Sequence, residues 1–175
     1  MPDAEDETGY SWCKAPRLYG APFETGALAR QVIDGQPLVR DLVGDAGGNV
    51  FARVIARLIE TARTLIAMEG WVRALEPDGP WCAQAKTPEQ GQAAGLTEAA
   101  RGALGHWLQV EGGKIARYQI IAPTTWNFSP RDAAGVPGPL EAALVGAAVH
   151  PGETTPLSVQ HIVRSFDPCM VCTVH

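Results

Sequence analysis

The residues with the most chemical promise close the sequence: Asp167-Pro168-Cys169-Met170-Val171-Cys172-Thr173-Val174-His175. Two thiols in a Cys-x-x-Cys spacing can converge on one metal or form a redox pair. His175, three residues on, adds an imidazole. The spacing differs from the Cys-x-x-Cys-His of c-type haem attachment, where the histidine is adjacent. A zinc site needs a second ligand pair, and only Cys13, Cys82 and distant histidines are left to supply one. A thioredoxin-like dithiol needs a strand before it and a helix after it, whereas here the sequence ends. Chemistry alone therefore leaves three readings: a metal site, a redox dithiol, or inert buried cysteines. A terminal residue ordinarily frays, so a histidine held there implies a metal or a carboxylate contact.

The elements that must position these groups are mostly helical. Residues 10–26 carry prolines and glycines among aromatics and read as extended chain and turns. Thr25 to Asp34 reads as a short helix stopped by Gly35, and Leu38 to Val43 as another turn or two. Asn49 is a good N-cap. After it Phe51, Val54, Ile55, Leu58, Ile59, Ala62, Leu65 and Ile66 recur at helical spacing, with Arg53, Arg57, Glu60, Arg63 and Thr64 on the other face. This predicts a long amphipathic helix ending before Pro77, whose apolar stripe needs other helices to cover it. Two alternating runs around Gly112-Gly113, within 101–121, predict one β-hairpin. Residues 123–139 read as irregular. Pro139 suits the first turn of a helix reaching about Ala148, and Pro156 opens a last helix that Pro168 stops. The fold class is α+β, mostly helical, with one hairpin.

Composition bounds the function. The 175 residues are 46% hydrophobic and carry a net charge of −5, which excludes a disordered tail and disfavours nucleic acid or anionic membrane as partners. No apolar run is long enough to span a bilayer. The acidic start, Met1 to Thr8, has no apolar core and reads as neither a secretory signal nor a transit peptide. Cys13, Cys82, His150 and His161 read as structural or surface residues, and the five tryptophans as core and interface.

The terminal Asp-Pro-Cys-x-x-Cys-x-x-His resembles the large subunit of NiFe hydrogenases. So do Tyr10-Ser11-Trp12-Cys13-Lys14-Ala15-Pro16-Arg17, the segment Glu98-Ala99-Ala100-Arg101-Gly102-Ala103-Leu104-Gly105-His106-Trp107, and Pro123-Thr124-Thr125-Trp126-Asn127 with Ser129-Pro130-Arg131-Asp132. The resemblance covers nearly the whole sequence, and dispersed motifs in the right order are highly specific. The family's large subunit is much longer, and its N-terminal half carries a second Cys-x-x-Cys and a proton-relay glutamate. Residues 1–175 are thus expected to form a single C-terminal segment of that large-subunit fold, completed by another chain that holds the N-terminal half.

The resemblance implies an enzyme catalysing reversible oxidation of H2 to protons and electrons at a nickel–iron centre whose iron carries CO and two cyanides. Cys169 would be a terminal ligand of nickel and Cys172 a bridging one. Soft thiolates suit this metal chemistry. Arg101 would lie over the metals, donate to a cyanide and act in H–H cleavage; its bland alternative is an ordinary salt bridge. Ala100 departs from the family's usual proline. Asp167 would hydrogen-bond near Arg101 or else cap the chain locally. Pro123 and Thr124 would meet the other cyanide, and Leu104 would wall the CO, though a leucine there equally suits hairpin packing. His106 would orient neighbouring groups or be a satisfied buried histidine. His175 and the carbonyl of Ile120 would bind Mg2+, for which oxygen-rich coordination is usual. A small subunit with iron–sulfur clusters would take the electrons. Many family members are trimmed after the terminal histidine, and this sequence ends at that mature position. Location stays open between the cytoplasm and a periplasmic or membrane-associated site reached through partner subunits. The alternatives are an H2-sensing regulatory subunit and a small zinc-binding structural protein. A long amphipathic helix needing outside cover predicts that the chain alone is poorly soluble or oligomeric.

Overall fold

The computed structural model describes residues 9–132 and 134–173. His175 therefore lies outside the described residues. Two short helices come first, α1 (Ala27–Ile33) and α2 (Pro37–Val43), as the sequence predicts. Gly35 takes a φ of +79° where α1 ends, and the Gln36 side chain accepts the Val39 N–H at the start of α2. A 3-10 turn at Gly44–Ala46 leads to α3 (Val50–Arg73), 24 residues long. Its N-cap is Asn49, whose Oδ1 accepts the Ala52 N–H at 3.0 Å.

The helix exists, and the face it packs within this segment is the charged one. Ala52, Arg53 and Ala56 are buried, while Phe51, Val54, Leu58, Leu65 and Ile66 of the apolar stripe are exposed. The physical reason is that the charged face finds partners. Arg53 grips Glu24 through two hydrogen bonds, Glu60 holds Arg30, and Arg63 pairs with Asp34 and donates to Gln31. Small alanines between those charges let α1 and α2 approach closely. The packed core is accordingly small: Ala27, Leu28, Val39, Ala52 and Ala56, flanked by Val32, Leu42, Val43 and Ile59.

A three-stranded antiparallel meander follows: β1 (Gln90–Ala99), β2 (Gly102–Glu111) and β3 (Lys114–Ile121), with β2 in the centre. The β2–β3 hairpin turns at Gly112-Gly113, at φ of +58° and +69°, as the alternation predicts. Strand β1 was not predicted; it pairs with β2 from Gln90↔Glu111 to Ala99↔Gly102. Its sequence, rich in Gly and Ala, has little intrinsic strand preference, so the pairing with β2 makes it a strand.

The remaining helices are short: α4 (Pro123–Asn127), α5 (Pro139–Leu144), α6 (Leu157–Ser165) and α7 (Met170–Thr173). Helix α4 falls where irregular chain was expected, and α5 ends before Ala148. Among the described residues no helix is long and apolar enough to cross a membrane. Trp12, Trp71 and Trp81 are exposed, so of the reading as core and interface the core part does not hold for these three.

Candidate functional site

Helix α6 ends at Phe166, and Asp167 then takes a left-handed φ of +51°. Its N–H donates to the Arg164 carbonyl at 2.9 Å, and Pro168 forbids the helix from continuing. A carboxylate is poorly placed at a helix C-terminus, whose dipole is negative, and a non-glycine residue in this conformation is strained. The carboxylate faces Arg101, whose Nε stands 3.2 Å from Asp167 Oδ2. Arg101 lies in the two-residue turn between β1 and β2.

The turn is seated on the start of α1. A Cβ on Gly102, at φ +138°, would stand 2.5 Å from Thr25 Oγ1, and one on Gly26 would stand 3.0 Å from the Arg101 carbonyl oxygen. Only glycines permit this approach. Asn127, buried at the end of α4, fixes the same segment by accepting the Thr25 N–H (2.9 Å) and donating to the Thr25 carbonyl (3.0 Å). Behind Asp167, the buried Arg53 lies 3.8 Å from the centre of the Phe166 ring and donates to Ser165 Oγ. Arg57 donates to the Ser165 carbonyl; burial pulls its guanidinium below its ordinary value, and the Asp167 charge pulls the other way. A small cavity lies between these groups, lined by Glu24, Thr25, Arg53, Arg57, Arg101 and Asp167.

The two C-terminal thiols sit on the single turn of α7. Thr124, buried in α4 beside buried Pro123, accepts the Cys169 N–H at 3.1 Å. The Cys172 N–H donates to the Cys169 carbonyl at 3.0 Å. Burial pushes the Cys172 thiol up; Cys169 adds to the rise, while the Arg101 charge and a hydrogen bond with Thr124 oppose it. Arg101, Thr124, Cys169, Cys172 and Asp167 therefore share one neighbourhood. Leu104 lies half-buried on β2 beside this turn.

Ile120 stands apart. Its carbonyl accepts the Lys14 ammonium at 3.1 Å, and Gln119 accepts the same ammonium at 3.3 Å. His106 Nδ1 and the Tyr118 hydroxyl share a hydrogen bond across β2 and β3. Cys13 and Cys82 are exposed thiols, and His150 and His161 are exposed. Among the described residues no three His, Cys, Asp or Glu side chains converge as a metal cluster. The sequence reading gave no role to Glu24 or Arg30, named Asn127 only within a motif, and placed Arg53 and Glu60 on the helix face away from the apolar stripe. No spacing marks them, because their partners come from distant segments.

A profile of the nickel-dependent hydrogenase family matches residues 2–175. The periplasmic NiFeSe hydrogenase large subunit of Desulfomicrobium baculatum is 36% identical, over 99% of this chain and 37% of that protein. Hydrogenase-1 large chain of Escherichia coli is 33% identical, over 97% of this chain and 32% of its own length. The solved structure of the D. baculatum NiFeSe hydrogenase superposes with a TM-score of 0.87 at 37% identity, covering 99% of this chain and 39% of the other. A variant of the Desulfovibrio vulgaris Hildenborough enzyme gives 0.85 at 32%, covering 100% and 40%. The chain thus spans little more than a third of the relatives it matches. With profile, sequence and backbone agreeing along nearly its full length, the chain belongs to the nickel-dependent hydrogenase family.

Proposed function

We propose that residues 1–175 act as the C-terminal segment of a hydrogenase large subunit, supplying Cys169 and Cys172 to a nickel–iron centre that catalyses reversible H2 oxidation. The observation that carries this is the meeting of the Cys-x-x-Cys turn with Thr124 and with Arg101 backed by Asp167. The donor set fits such a group: two adjacent sulfur donors of the soft kind that nickel favours. When bound, the centre supplies the two-electron chemistry of H2 cleavage, beyond the reach of these side chains.

The chain's own residues bind, orient and move protons. Cys169 and Cys172 would hold the metal centre, and each must lose its proton to ligate. Thr124 fixes the first of them by its backbone. Arg101 spends Nε on Asp167, which leaves its terminal nitrogens to donate to a cyanide or to exchange a proton near the thiolates. Pro123 and Leu104 contribute apolar walls that strengthen those charges. A magnesium site at Ile120 and His175 has weaker support. The Ile120 carbonyl already serves a lysine ammonium, and one oxygen donor is far from an oxygen-rich cage. No step here depends on it.

The remaining large-subunit residues and an iron–sulfur small subunit would complete the enzyme. The uncovered apolar row of α3 favours such cover. One relative is named periplasmic and others uptake hydrogenases, so we place the enzyme where its small subunit carries it. The test is an infrared spectrum of the protein purified from its source with all co-purifying chains. One metal-bound CO band and two cyanide bands are expected. Their absence from a preparation containing the completing chain overturns the proposal.

A further inference from the structure

The Arg101 turn has an unusual support. Ala99 pairs with Gly102, so Ala100 and Arg101 form a two-residue hairpin loop. Such loops normally need left-handed residues to match the strand twist, yet neither Ala100 nor Arg101 has a positive φ. The turn therefore lacks the geometry that holds a short hairpin closed by itself.

Arg30 of α1 supplies what is missing. Its NH1 donates to the Ala99 carbonyl at 3.0 Å and to Glu98 Oε2 at 2.7 Å. Its NH2 donates to the Ala100 carbonyl at 2.9 Å and to Glu60 Oε2 at 2.6 Å, and its Nε donates to Glu60 Oε1 at 2.7 Å. A guanidinium has five N–H donors in a rigid fork, and here each has an acceptor. Glu60 lies on α3, so one side chain ties the turn to both helices. The opposite side of the turn rests on Thr25 and Gly26. The loop is gripped from two sides, and the side chain that leaves it is Arg101.

The geometry points to Arg30 as a positioning residue for Arg101: it locks the Ala99 and Ala100 carbonyls and thereby sets where the Arg101 guanidinium stands relative to Asp167 and the thiols. The catalytic consequence rests on the function proposed above; the positioning itself does not. Lysine cannot replace Arg30, because three donors on one nitrogen cannot hold a carboxylate bidentately and also reach two carbonyls.

The test uses the assembled enzyme and three variants. Arg30→Lys removes the fork, Glu60→Gln keeps the shape but frees the anchor, and Arg63→Lys disturbs the same α1–α3 junction through Gln31 and Asp34 without touching the turn. Amide exchange of residues 99–102 is read by mass spectrometry alongside kcat, KM for H2 and metal content. Arg30→Lys is expected to speed exchange of the turn about tenfold or more, one lost charge-assisted hydrogen bond being about 1.5 kcal/mol. kcat falls by a similar factor while KM and metal content hold. Glu60→Gln gives a smaller change of the same sign, and it carries the test if Arg30→Lys fails to assemble. Arg63→Lys leaves the turn within twofold. Unchanged exchange in both the Arg30 and Glu60 variants, or an equal rise in Arg63→Lys, overturns the inference. Should the wild-type enzyme show no H2 turnover, the exchange data still decide the positioning while the functional proposal falls separately.

Discussion

Arg101 Nε stands 3.2 Å from Asp167 Oδ2, although both side chains are nearly half exposed. An exposed ion pair of this kind is worth about 0–1 kcal/mol, too little to draw a sheet turn and a helix end together. The backbone on each side does that. Arg30 and the Thr25–Gly26 seat hold the turn, and Arg53 with Arg57 holds Ser165 and Phe166. The pair is thus a result of the scaffold, and its charge is available for chemistry.

Asp167→Asn separates charge from strain. Asparagine tolerates a left-handed φ, so the helix end is expected to keep its shape while the acceptor for Arg101 loses its charge. Losing the charge of a pair worth at most about 1 kcal/mol corresponds to a loss in kcat of up to roughly fivefold. Asp167→Ala adds about 1–2 kcal/mol of backbone strain and is expected also to lower the melting temperature. Steady-state H2 uptake and thermal denaturation of the complex read the two effects. Equal melting temperatures for the two variants would remove strain from the account.

The hairpin, the capped start of α3 and the cluster of Arg101, Thr124, Asp167 and the cysteines were legible because each rests on local signals: Gly-Gly between alternating runs, Asn49 before a periodic run, motifs of a known family. Strand β1 was not legible, since Gly91, Ala93, Ala94 and Gly95 have no preference for a sheet until β2 lies beside them. Nor was the orientation of α3. Periodicity finds a stripe, but it cannot say which side faces this segment when both sides carry partners. Arg53 and Glu60 look solvated in sequence, and only the arrival of Glu24 and Arg30 from α1 and its approach turns them inward.

Thr124 holds Cys169 by its hydroxyl. Thr124→Val keeps the volume and removes the acceptor, leaving a half-buried N–H unsatisfied at a cost of about 1–3 kcal/mol. Amide exchange across residues 168–173 is expected to rise and nickel content to fall. Thr124→Ser keeps the oxygen and restores both. Metal analysis and exchange on the purified complex check this, and a valine variant with full nickel and unchanged exchange would show that Cys169 needs no such tether.

Glu60 sets an acid limit for the Arg101 turn. Hydrogen bonds from Arg30 hold its carboxyl below the usual carboxylate range, against the opposing pull of burial. The folded value lies below the unfolded one, so the contribution is complete above about 4.3. It is lost as pH falls through the lowered folded value. The difference in exchange at residues 99–102 between wild type and Glu60→Gln, corrected for intrinsic rates, is expected to stay constant from neutrality to about pH 5 and to close below about pH 4. Closure near pH 6.5, the ordinary histidine value, would assign the effect to another group.

The outer face of α3 sets the fate of the segment without its partners. Leu58 is 62% exposed and Leu65 59%, in line with exposed Phe51, and Ile66 is exposed beside them. Burying a leucine is worth about 1.5–3 kcal/mol, so several in one row give a strong drive to associate, and the small core of α1–α3 offers little resistance to rearrangement. The wild-type segment produced alone is expected to self-associate, which light scattering on a size-exclusion column reads directly. Leu58→Glu with Leu65→Glu is expected to shift it toward a monomer and, in the same stroke, to abolish co-purification with the completing chain, because the surface that aggregates is the one a partner covers. If instead the wild-type segment is monodisperse and melts cooperatively, the apolar row needs no cover, and the case for a completing chain on α3 fails with it.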